Sequence, residues 1–229
     1  MTPLLRRWGF ALLERSLKRT FRRIEWVGAL AVPPVDRPVV LYANHHAFRD
    51  SYALGWFIQR VLNRRGVVWM EELDRFPFFG VMGPLPFPAD DPLRRAMTVR
   101  RTSRLMATDP RTVLLYYPEA VLHPADDGVL PFPADRFLRL QRVFPPAQWW
   151  PVALRVTGWH DARPSVLLTG GPVRNHASGT ERESLERLLE RLRDPGRAPR
   201  TTLLEGREGP HERWDFSGTR RFFSPRSIR

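Results

Sequence analysis

The chain has no cysteine among its 229 residues, and Lys18 is its only lysine. Without cysteine there can be no disulfide, no thiol catalysis and no cysteine-ligated zinc, although the absence fixes no compartment. With one lysine, the net charge of +13 is carried almost wholly by arginine. A GC-rich coding bias gives such a balance, so the choice over lysine need not be functional. The positive field still draws anions: nucleic acid, an anionic bilayer, a CoA or an acidic carrier protein. No recognised nucleic-acid module is present and the basic residues are dispersed, so charge alone does not carry nucleic-acid binding. No apolar stretch reaches the length of a membrane-spanning helix. The N-terminal stretch is too interrupted by charge for a signal peptide. No internal repeat is visible.

A chain of this length buries one substantial core and is read as one domain. Strand signals are Pro38 to Ala43, Gly66 to Met70, Thr112 to Tyr117, Trp149 to Val156 and Ser165 to Thr169. Helix signals are Ser51 to Leu62, Leu93 to Ala107, Ala134 to Val143 and Glu181 to Arg193. The last has a stripe of Leu185, Leu188, Leu189 and Leu192, read as core-facing, and Thr180 with Glu183 is expected to form a capping box. Alternating strands and helices predict an α/β domain, a mainly parallel sheet flanked by helices. Ligands of such sheets sit at the carboxyl ends of strands.

The first 30 residues read as a basic amphipathic helical segment. Leu4, Leu5, Trp8, Ala11 and Leu12 share one face, while Leu13, Leu17, Phe21 and Ile24 lie nearly opposite. Two short helices, or one helix between core and bilayer, both fit. Arginines beside Trp and Leu suit an anionic lipid surface, and a helix packed on the domain with its arginines in water is the plainer alternative. Residues 31–205 form the α/β domain. Residues 206–229 are a polar tail carrying Trp214, Phe216, Phe222 and Phe223.

The most informative run is Asn44-His45-His46-Ala47-Phe48-Arg49-Asp50, between a strand and a helix. The strand end delivers His45 to a crevice, and Asp50 can fold back from the first helical turn. A carboxylate on one ring nitrogen fixes the tautomer and leaves the other free to take a proton from a hydroxyl. The plainer alternative is that Asp50 caps the helix. His46 beside His45 is no metal pair, because adjacent strand residues point apart. His123, His160, His176 and His211 read as loop residues at the surface. Asp126-Asp127-Gly128 is a turn.

NHHAFRD resembles the HX4D block of the glycerolipid acyltransferases, the 1-acyl-glycerol-3-phosphate acyltransferase family. Further blocks follow in family order: Phe78-Phe79-Gly80, Gly83 and Phe87-Pro88-Ala89-Asp90-Asp91; then Tyr116-Tyr117-Pro118-Glu119-Ala120-Val121-Leu122; then Trp149-Trp150-Pro151-Val152-Ala153-Leu154. The resemblance spans about residues 38 to 170. It implies transfer of an acyl group from acyl-CoA or acyl carrier protein to a hydroxyl of a lipid acceptor. His45 would be the general base and Asp50 its partner. Glu119, Asn44 and Asp91 would lie at the acceptor, and Pro151 and Gly80 at the acyl site. The family chemistry needs no metal and no prosthetic group; the donor is a co-substrate.

Two blocks depart from the pattern. Ala120 replaces a glycine, Leu122 stands where an arginine is expected, and Asp91 stands roughly where the second block has its phosphate-binding arginine. A carboxylate in place of a cation repels phosphate. The departures therefore point to a neutral hydroxyl acceptor, such as a glycosylated isoprenoid lipid, with Arg94 and Arg95 as substitute cations or as a solvated helix face. The proline- and aromatic-rich segments 76–92 and 118–133 are expected as ordered loops, packed or forming an acyl groove. Peripheral contact with the cytoplasmic face of a membrane is expected. A non-catalytic lipid-binding relative of the same fold is the alternative.

Overall fold

Val39 to Ala43 is apolar at every position and fully buried, the composition of a strand covered on both faces. It is β2 (Val39–Ala43), near the middle of an eight-stranded sheet in a computed structural model that describes residues 3–133, 135–158 and 162–208. The order of elements is α1 (Pro3–Thr20), β1 (Arg23–Val27), β2, α2 (Asp50–Trp56), β3 (Arg65–Met70), β4 (Pro84–Pro86), α3 (Pro92–Thr108), β5 (Thr112–Tyr116), α4 (Asp135–Val143), β6 (Gln148–Thr157), β7 (Ser165–Gly170), α5 (Glu181–Arg193) and β8 (Arg200–Glu205). The sheet order is β4-β3-β5-β2-β6-β7-β1-β8. Strands β4 through β6 are parallel. Strand β7 is antiparallel to β6, β1 is parallel to β7, and β8 is antiparallel to β1. The domain is thus α/β with a mixed, mostly parallel sheet.

Side-chain alternation along the strands builds two cores. One face sets Val39, Leu41, Val152 and Leu154 against Phe10, Leu13 and Leu17 of α1 and Leu54 of α2. The other sets Val40, Tyr42, Trp149 and Ala153 against Phe137 of α4 and Leu185, Leu188, Leu189 and Leu192 of α5.

Four sequence expectations need correction. The N-terminal segment is a single helix ending at Thr20, and residues 23–27 are a strand. Ile24 and Trp26 are buried between neighbouring strands, which outweighs any helical periodicity through them. The expected helix from Ser51 to Leu62 begins at Asp50 and widens to a π-helix over Phe57–Val61. No capping box forms at Thr180. Glu181, two residues before Glu183, accepts the Ser178 N–H instead. Strands β4 and β8 had no sequence signal. Leu4, Leu5 and Trp8 are exposed along the outer face of α1. Among the described residues no helix is long and apolar enough to cross a membrane. The tail is described only to residue 208, where Gly206 and Arg207 N–H groups bond to Arg22 and Lys18 carbonyls. Ala134, His160, His211 and the four tail aromatics lie outside the described residues.

Candidate active site

The parallel strands β2 and β5 end side by side, and the residues just beyond them meet in one cluster. Asn44 comes first. Its Oδ1 accepts from the Leu154 N–H and its Nδ2 donates to the Leu154 carbonyl, both at 2.9 Å. A side-chain amide thus continues the β2–β6 pairing after the backbone of β2 has left it. Asn44 is fully buried. Its amide holds the strand end.

The next two residues diverge. The His45 ring stacks on Tyr117 at 4.0 Å between centroids, with 15° between planes. The His46 ring meets His123 edge to face at 4.7 Å. His46 Nδ1 lies 3.1 Å from Asn44 Nδ2, and its Nε2 lies 2.8 Å from the Gly128 carbonyl oxygen. Leu154 fixes which end of the Asn44 amide carries the hydrogens, so Nδ1 must accept and Nε2 must donate.

Asp50 opens α2 and is 1% exposed. One carboxylate oxygen, Oδ2, accepts the N–H groups of His46 and Ala47 at 2.8 Å each. The carboxylate therefore braces the loop before the helix, and no N-cap bond forms within α2 itself. The same oxygen lies 3.6 Å from His45 Nδ1. That is ion-pair contact, too long for a hydrogen bond. His45 Nδ1 and Asp50 Oδ1 are both enclosed and without hydrogen-bond partners. Catalytic contacts that are long in a ligand-free site often tighten with substrate.

Glu119 follows β5 and its side chain is wholly enclosed. Its Oε2 accepts the His45 N–H at 2.8 Å. Its Oε1 accepts the Leu130 N–H at 2.8 Å and contacts His123 Nε2 at 2.9 Å. One carboxylate therefore ties together the His45 loop, His123 and the 118–133 segment. The Tyr117 hydroxyl is enclosed nearby. Burial pushes its pKa well up, and the Asp50 charge adds to the rise.

His123 is the residue of this cluster that its sequence setting misplaced. It is buried, whereas its loop setting pointed to the surface. The available signal was its spacing, four residues after Glu119. His46, Glu119 and His123 bring one possible metal-ligand atom each to within 4.8 Å of one another. The bond directions oppose a metal here. A metal on His46 Nε2 would leave Nδ1–H as the usual second donor. Nδ1 instead faces the hydrogens of the Asn44 amide. The cluster is a hydrogen-bonded brace.

The other sequence candidates are spread out. Asp91 is exposed and caps α3 by accepting the Arg94 N–H at 2.8 Å. It follows β4, three strand spacings or roughly 14 Å from β2. Arg94 is paired with Asp74, and Arg95 lies over the Phe87 ring. Pro151 is buried in β6, level with Tyr42 and packed toward Gly171. Gly80 has open space where a side chain would go. The demand for glycine in that block falls on Gly83, with φ of +127° and the Gly66 oxygen 2.3 Å from where a Cβ would stand. Ala120, at the position where the resemblance expects glycine, has φ of +60°. Its backbone keeps a left-handed conformation that glycine would adopt without strain.

Apolar side chains frame the cluster. Phe48 packs on Tyr52 and Phe76, and Tyr52 on Phe79. Phe48, Phe76, Val121 and Leu122 are substantially exposed. A histidine and a buried carboxylate at the end of a central strand, rimmed by exposed apolar groups, can deprotonate a hydroxyl beside an aliphatic chain. No protein-family model matches the chain, and a search of curated proteins finds none similar to it.

Proposed function

We propose that the protein is an O-acyltransferase that moves a fatty acyl group from a thioester, acyl-CoA or acyl carrier protein, to a hydroxyl of a lipid acceptor. The observation that carries this reading is His45 at the end of β2 with its Nδ1 3.6 Å from buried Asp50. His45 Nε2 takes the acceptor's proton as that oxygen attacks the thioester carbonyl. Asp50 orients the ring and stabilises the imidazolium. Collapse of the tetrahedral adduct breaks the C–S bond, and the departing sulfur takes the proton back from His45. Glu119 acts one step removed, by gripping the His45 N–H. The cation expected at residue 122 is an exposed leucine, and Asp91 is a helix cap. The missing cation at residue 122 favours a neutral hydroxyl on a lipid over a small phosphorylated acceptor, and Asp91 takes no part in the cluster.

The lipid part of the reading is supported by the apolar rim and by α1. That helix packs against α2 and the 77–82 turn, and it presents Leu4, Leu5 and Trp8 outward. Arginines beside this face suit peripheral binding to an anionic bilayer.

The test is thiol release from acyl-CoA, and from acylated carrier protein, across lysophosphatidate, lysophospholipid and glycolipid acceptors. Acceptor-dependent release by the wild type, lost in folded His45→Ala, is the expected result. Silence across the panel with both donors would leave a non-catalytic lipid-binding relative as the better reading.

A further inference from the structure

On the α5 face, four arginines from four different elements line one cleft of about 390 Å³: Arg23 of β1, Arg155 of β6, Arg193 of α5 and Arg200 of β8. Glu25 is the only acidic side chain among its described lining residues. Glu190 and Glu205 pair with Arg193 and Arg23 from beyond the lining, so four guanidinium groups face three carboxylates, a local charge of +1. Each guanidinium has one oxygen partner within 4 Å. Arg155 donates to the Leu192 carbonyl at 3.2 Å, and Arg193 lies 3.3 Å from Glu190. Arg200 lies 3.8 Å from Glu25, and Arg23 lies 3.9 Å from Glu205. A guanidinium has five N–H donors, so one such partner leaves capacity for an anion. Converging like charges repel, and a multiply charged anion in the cleft would remove that cost.

The cleft adjoins the His45 cluster by two routes. Arg155 follows Leu154, whose N–H and carbonyl both bond to Asn44. Arg193 Nη2 comes within 3.8 Å of the side-chain position at Gly128, and the Gly128 carbonyl bonds to His46.

We infer that this cleft binds clustered phosphoryl groups. Resting on the acyl-transfer reading above, its ligand is the phosphorylated nucleotide of the CoA donor. The CoA arm is long enough to separate thioester from phosphates, so its anionic end can be anchored on one side of β6 while the acyl carbon lies at His45. This charge would compensate for the cation missing from residue 122 only on the donor side. The acceptor can then remain neutral.

Calorimetric titration of the full chain with CoA, dephospho-CoA and adenosine 3′,5′-bisphosphate tests the assignment without turnover. Tighter binding of CoA than of dephospho-CoA is expected. Arg193→Gln with Arg200→Gln should weaken CoA and the bisphosphate by about tenfold or more, with thermal stability unchanged. Glu25→Gln should tighten both several-fold. Equal affinity of wild type and double variant for CoA, or no CoA binding, overturns the proposal. So does a double variant that loses only sedimentation with phosphatidate vesicles, since the anion would then be a lipid headgroup. Acyl transfer with an unchanged KM for CoA in the double variant would sink this site and leave the enzyme reading standing. Cleft-dependent CoA binding without transfer would do the reverse.

Discussion

Replacing Glu119 by glutamine changes one oxygen to an NH2 group and leaves the volume almost unaltered. The carboxylate accepts from two main-chain N–H groups, those of His45 and Leu130, one on each oxygen. An amide has only one oxygen. In one orientation its NH2 faces the His45 N–H, and in the other it faces the Leu130 N–H. His123 can exchange donor for acceptor, but a main-chain N–H cannot. Either way one charge-assisted bond is lost and one buried donor is orphaned, a cost of about 3 kcal/mol. For a chain of this size that corresponds to a fall in Tm of roughly 6–12 °C. Thermal unfolding followed by circular dichroism, with a denaturant titration to check for two-state behaviour, measures it. Exposed Glu190→Gln is the control and should change little. A loss below about 0.5 kcal/mol would refute the brace, because no rearrangement of these groups spares both N–H donors.

Ala120→Gly should have the opposite sign. Relief of the left-handed backbone is worth about 1–2 kcal/mol, and the added freedom of glycine in the unfolded chain returns about half of it, so a Tm gain of roughly 1–4 °C is expected. A lower Tm would show that Ala120 is not strained. All four tyrosines, Tyr42, Tyr52, Tyr116 and Tyr117, have pKa values raised, chiefly by burial. The folded state therefore holds phenol protons that the unfolded chain releases near pH 10, so stability is full below that pH and falls as pH rises above it. Absorbance at 295 nm should stay flat through pH 10 and then rise together with loss of secondary structure; an early rise in native protein would contradict the burial. Leu4→Ser with Trp8→Ser should leave Tm unchanged while weakening sedimentation with anionic vesicles by about 30-fold or more, from two lost apolar contacts of at least about 1 kcal/mol each. Unchanged sedimentation would remove α1 from the membrane reading.

Much of the candidate site's geometry could be read before the fold was known. His45 and Asp50 needed only a strand, a five-residue step and a helix start, all of which are local. Glu119 came from order along the chain. For His123 the four-residue step from Glu119 was the one local hint, and its burial depends on the return of the 118–133 segment over the strand ends, a long-range contact. The edge strands failed for a related reason. β8 is mostly exposed and β4 contains two prolines, so neither shows apolar alternation. Ile24 and Trp26 did have a pattern, but a strand flanked by an amphipathic helix borrows that helix's periodicity over a few residues. The arginine cleft was invisible for the plainest reason: its four cations come from residues 23, 155, 193 and 200 and meet only in the fold.

The place of β1 in the sheet sets a timetable for the newborn chain. Both neighbours of β1 are drawn from residues 165–205. At synthesis rates of about 5–20 residues per second, β1 waits on the order of ten seconds for its first partner. During that interval Trp26 lacks its sheet environment and Leu17 of α1 lacks part of its floor. The half-sheet from β2 to β5 can assemble meanwhile, but its β6-facing edge stays open until residue 148 has emerged. Maturation therefore ends with the two ends of the described chain being sewn together, and a ribosome that stalls before residue 200 leaves an adhesive edge where β8 belongs.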